Sequence, residues 1–110
     1  MMLLKESQTV EFKQIWKDEY LKTICAFSNS DGGDFYIGIC DDGSTCEVED
    51  IERLVEMLPN KINNRLGVLV DLVTETMDGI EIIHIKINKT FAPVSFNGKF
   101  YKRSGSNTIE

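Results

Sequence analysis

The chain holds one histidine, three cysteines and no apolar run approaching the roughly 20 residues that cross a bilayer. Each scarcity removes a class of function. His84, set in the run Ile82 to Ile87, leaves zinc without a credible ligand set. It is also the sole imidazole available to activate any Ser or Cys nucleophile. Cys25, Cys40 and Cys46 are odd in number and lack C-x-x-C spacing, so a reduced, cytoplasmic protein is expected. The opening MMLLKES is too short in apolar residues for a secretory signal, which needs about 7–15 of them. No lysine follows Gly32-Gly33, which precede a strand, so a phosphate loop is excluded, and no G-x-G-x-x-G occurs. An EF-hand begun at Asp41 would put Cys46 at its sixth position, where the sharp turn needs glycine.

What is present suits one domain spanning residues 1–110, with 42% apolar and 27% charged residues. The net charge of −6 argues against a strongly basic nucleic-acid binder. Its distribution is uneven. Residues 1–81 carry 7 cations and 17 acids, whereas Ile82–Ile109 contains Lys86, Lys89, Lys99, Lys102 and Arg103 and no acid. Gathered on one surface, those five would make a local positive field inside a negative total. Spread over a sheet, they are an ordinary solvated face.

Thr9 to Lys13 alternates and reads as a strand. Asp18–Asn29 places Tyr20, Leu21, Ile24 and Phe27 at helical spacing, with Asp18 and Glu19 near the positive end of the dipole. Phe35–Cys40, apolar on both faces, predicts a central strand, and Gly38 within it predicts a close approach. Asp50 is expected to cap a second helix reaching Gly67, kinked or divided at Pro59. Asp78-Gly79 and Asn97-Gly98 predict hairpins joining Val68–Met77 to Ile80–Asn88, and Val94–Phe96 to Lys99–Arg103. The Ser104–Thr108 stretch offers no obvious closing element, and the chain is expected to be the N-terminal part of a longer protein. The fold class expected is α+β: two main helices and a mixed, largely antiparallel sheet of about five to six strands.

Carboxylates are the remaining chemistry. Glu6 and Glu11 bracket the entry of the first strand, and Asp41 and Asp42 end the second. If those strands are neighbours, two or three carboxylates converge beside Lys13. Such a cluster is costly empty and suits Mg²⁺ or Mn²⁺, which take oxygen ligands and activate water. Solvated glutamates and a plain Asp-Asp-Gly turn explain the same residues.

The stretch Glu6-Ser7-Gln8-Thr9-Val10-Glu11-Phe12-Lys13 resembles the E-S-x-x-(V/L)-E-F-K opening of the Schlafen AlbA-type domain. The likeness continues through Lys22–Asn29, Gly32–Ile39, Asp41-Asp42-Gly43, Pro93-Val94 and Tyr101–Ser106. It implies a nucleic-acid-binding module, for DNA or RNA, of a transcriptional-regulator-like or helicase-like protein with an effector domain beyond it. In that reading Lys86, Lys89, Lys99, Lys102 and Arg103 contact phosphates, with Phe100 or Tyr101 stacking on bases. It also implies an alternative, a divalent-metal-dependent endoribonuclease. The family's three acids fall by motif on Glu6, Glu11 and Asp42, with Lys13 beside them and Mg²⁺ or Mn²⁺ as cofactor. A third implied reading is a dimerisation or interaction module. A groove would need a second copy, so a homodimer is expected if nucleic acid binds.

Overall fold

Alternation in Val10–Lys13 produces strand β1, which runs parallel to β2 (Gly33–Ile37), with Val10 opposite Asp34 and Lys13 opposite Ile37. Parallel neighbours need a crossover. Here it is a 3₁₀ turn at Asp18–Tyr20 followed by helix α1 (Leu21–Ser28). This computed structural model describes residues 5–110, so most of the apolar opening weighed as a signal lies outside the described residues. Helix α2 (Ile51–Leu66) comes next, then the hairpin β3 (Asp71–Met77) and β4 (Ile80–Ile87). The sheet order is β1-β2-β4-β3, with β4 antiparallel to both its neighbours. The run Phe35–Ile37 is apolar because β2 lies inside this sheet.

One sheet face carries Phe35, Ile37, Ile83, Ile85 and Ile87, all packed with Leu21, Ile24 and Phe27 of α1 and Leu58 and Ile62 of α2. The other face holds a smaller cluster of Phe12, Ile39 and Ile82. His84 lies on this second face, stacked on Tyr36 at 4.3 Å, between the carboxylates of Asp34 (2.7 Å) and Glu75. It is a hydrogen-bonded strand histidine. Among the described residues, no helix is long and apolar enough to cross a membrane.

The α+β class stands, with the strands divided differently from the single sheet expected. Four form the main sheet. The rest make two ribbons, β5 (Ser95–Phe96) with β6 (Lys99–Phe100), and β7 (Lys102–Ser104) with β8 (Asn107–Ile109). The Asp78-Gly79 and Asn97-Gly98 turns form as predicted, with positive φ at all four residues. Strand β8 supplies the closing element that a polar Ser104–Thr108 concealed. Two helix details also differ. Asp50 has φ of 54° and makes no side-chain cap, and α2 continues through Pro59 as one helix. Proline deprives the Val55 carbonyl of its donor, but Leu58, Ile62 and Leu66 are buried on both sides of it and hold the helix together.

Cys40 and Cys46 form a disulfide, with Cα atoms 5.9 Å apart, which corrects the expectation of reduced cysteines. The backbone brings them together: Ile39 bridges Thr45, and the Cys46 N–H donates to the Gly38 carbonyl at 2.7 Å. Cys25 is free and buried in α1.

Candidate nucleic-acid interface

Two of the five late cations meet in one place. Lys89 and Lys102 line a cleft of about 440 Å³ together with Phe91 and Phe100. The residues 89–91 on one wall read Lys-x-Phe, and 100–102 on the other read Phe-x-Lys. Phe91 is fully exposed and Phe100 is 57% exposed, an unusual condition for large apolar rings. Tyr101, by alternation, turns inward and packs against the main core. Glu110 also lines the cleft, and its carboxylate lies 3.7 Å from Lys99.

The two walls lie about ten residues apart in the chain, and the end of α1 holds both of them. Asn29, at the end of α1, donates to the carbonyls of Val94 (2.8 Å) and Tyr101 (2.9 Å), and its own oxygen accepts from the Val94 N–H (2.7 Å). Thr90 is fixed alongside, its N–H donating to the Ser28 carbonyl at 2.9 Å. We expect Asn29→Ala to cost about 2–3 kcal/mol, because three backbone groups lose a partner in a half-buried setting. Chemical denaturation measures this, and a cost under about 0.5 kcal/mol would mean water replaces the side chain freely.

The other cations go elsewhere. Lys86 is exposed on the sheet face opposite the helices, in register with Asp34 and Asp71. Arg103 is the clear correction: its side chain is inaccessible and cannot reach a phosphate. It donates to the carbonyls of Ser7 (2.6 Å) and Gln8 (3.1 Å) and to the Thr108 hydroxyl (3.1 Å). It lies 3.5 Å from Glu11 and stacks over Phe27 at 4.7 Å. Burial pulls its guanidinium below the ordinary value, with Glu6 opposing that shift.

Glu6, Glu11 and Lys13 do share a second cleft of about 370 Å³, where Glu19 and Lys22 join them. Asp42 does not line it. The Asp42 carboxylate accepts from the hydroxyl and N–H of Ser44, at 2.5 and 2.9 Å, and these bonds hold its pKa below the usual value. Glu11 is engaged by Arg103, and Glu6 accepts from the Phe12 N–H at 3.3 Å. Among the described residues, no group of three or more His, Cys, Asp or Glu is placed to hold a metal ion. In this arrangement Glu6, Glu11 and Asp42 do not fit a shared Mg²⁺ or Mn²⁺.

Sequence reasoning overlooked Phe91 and the stapling role of Asn29. The first had a usable signal, since Lys89-x-Phe91 mirrors Phe100-x-Lys102. The second had none, because Asn29 reads simply as a helix stop.

A family model described as Schlafen, AlbA_2 matches residues 6–110. No curated protein matches the chain. Among solved structures, the DIP2311 protein from Corynebacterium diphtheriae superposes with a TM-score of 0.75 at 22% identity, over 93% of this chain. The chain spans only 22% of that protein's length. The N-terminal domain of an ATP-dependent DNA helicase RecG-related protein from Nitrosomonas europaea gives a TM-score of 0.68 at 22% identity, covering 94% of this chain and 83% of that one. At these identities the two structures speak for the fold.

Proposed function

We propose that this chain, which belongs to the Schlafen AlbA_2 family, is a nucleic-acid-binding module of a longer regulator-like or helicase-like protein. The carrying observation is the Lys89–Phe91–Phe100–Lys102 cleft in an otherwise acidic chain. A polyanion is repelled by a protein of net charge −6 unless it finds a local cationic site, and two lysines on facing walls supply one. Exposed rings between them give a nucleic acid something that a simple counter-ion lacks. The RecG-related protein is a relative in fold whose description names DNA, which agrees with this reading. Both walls belong to one chain, so the reading requires no second copy.

The test is equilibrium binding of a labelled 12-nucleotide oligonucleotide across a salt series. Neutralising both lysines (K89Q/K102Q) should flatten the slope of log K against log salt by about 1.4, the counterion release of two contacts on a single strand. Lys86→Gln, on the far sheet face, should leave it unchanged. An unaltered slope in the double variant removes the cleft from the interface. Divalent-dependent cleavage abolished by Asp42→Asn would return the function to the carboxylates.

A further inference from the structure

Resting on that reading, we propose that the cleft selects single-stranded nucleic acid and holds unpaired bases against Phe91 and Phe100. In a duplex the base faces are covered by their neighbours, and only edges and phosphates are available to a protein. A side chain that presents an aromatic plane to solvent has nothing to stack on there. In a single strand every base offers a π-face, and stacking tolerates any sequence.

Three features point the same way. Phe91 is fully exposed and Phe100 largely so, yet both face one concavity. Each has a lysine two residues away on its own wall, Lys89 beside Phe91 and Lys102 beside Phe100. That juxtaposition, repeated across the cleft, matches the alternation of base and phosphate along one strand. The charge balance is the third. Apart from Lys89 and Lys102 the interface is thinly cationic, with Lys99 drawn to Glu110 and Arg103 buried. A duplex binder neutralises many phosphates along two backbones, whereas two cations with two rings suit a short single-stranded segment. Asn29 also fixes the backbone of both walls, through Val94 and Tyr101, before the strand arrives.

Fluorescence anisotropy with one sequence, as a single strand and as its duplex, tests this at low salt. The single strand should bind at least about tenfold more tightly. Phe91→Ala and Phe100→Ala should each weaken single-strand binding roughly 5- to 150-fold while leaving the salt slope unchanged. Phe91→Trp should keep the affinity, and its added indole emission should be quenched by the single strand and not by the duplex. Phe100→Tyr guards against fraying of the β5–β6 ribbon in the alanine variant, and should also keep the affinity. Equal or tighter duplex binding overturns the inference while leaving the broader function standing. So does single-strand affinity indifferent to both rings. Failure of every nucleic acid to bind overturns the broader function itself. Sedimentation of the same variants supplies the last arm: a dimer that Phe91→Ala or Phe100→Ala makes monomeric, without effect on nucleic acid, would assign the cleft to a second copy and overturn the proposal.

Discussion

Arg103→Met should destabilise the fold by about 3–5 kcal/mol, the loss typical of a buried ion pair stripped of one partner. Methionine keeps an apolar stem over Phe27 but donates nothing. Four groups then lose a partner at once: the Ser7 and Gln8 carbonyls, the Thr108 hydroxyl, and the carboxylate of Glu11, whose side chain is only 10% exposed. The clamp joins the segment entering β1 to the β7–β8 ribbon, so its loss should loosen both ends of the described chain together. Urea unfolding at an unchanged m-value measures the cost. Arg103→Lys should recover only part of it, because an ammonium cannot make the planar fork that reaches two carbonyls. In a cycle with Glu11→Gln, the double variant should cost less than the sum of the singles, since removing Arg103 leaves Glu11 with no charge to answer. A loss below about 1 kcal/mol for Arg103→Met would mean that water satisfies those groups and the clamp is incidental.

Arg103 also shows where reading the chain reaches its limit. Its neighbours Lys99 and Lys102 are exposed, as cations in a late strand are expected to be, and nothing in Tyr101–Ser106 separates it from them. Only tertiary structure makes the difference, because β7 lies over α1 and directs position 103 inward. Periodicity, by contrast, carries the elements whose burial is one-sided. The Ile83, Ile85 and Ile87 series and the Leu58, Ile62 and Leu66 series each report a face, and both were legible. The glycine-bearing hairpins were legible for a different reason, since their φ values admit few residue types. Strand β8 was hidden because Asn107–Ile109 buries no residue, and its side-chain anchor, the Thr108 hydroxyl bonded to Arg103, leaves no pattern in the sequence. The disulfide was hidden because a five-residue spacing between cysteines has no signature until the loop's own hydrogen bonds close it. At the site, the lysines were legible as charge. The acids were legible as a motif, but motif spacing does not say that Asp42 is spent on Ser44.

Gly38→Ala should cost about 3–5 kcal/mol, combining backbone strain with overpacking. Gly38 has φ of 111°, well into the region L-residues avoid, and a Cβ there would sit 2.8 Å from methyls of both Ile82 and Val48. The Ile82 methyl has little room to retreat, because Ile82 is wholly buried in the second core cluster, whereas Val48 is only partly buried. Gly79→Ala is the matched control: φ is also positive, at 77°, but nothing lies within 4 Å of the added atom. It should cost only about 1 kcal/mol, so the excess loss at Gly38 reports the packing together with its more extreme φ. Equal losses would show that Ile82 and Val48 give way and that the backbone at position 38 relaxes as well. The position has a consequence beyond stability. Gly38 and Ile39 both donate to the Lys13 carbonyl, at 2.8 and 3.3 Å, where β2 stops tracking β1. From there the chain enters the loop closed by Cys40 and Cys46, and Asp42 stands outside the cleft that Glu6 and Glu11 share. The chain thus turns away at Gly38, and Asp42 follows it away from Glu6 and Glu11.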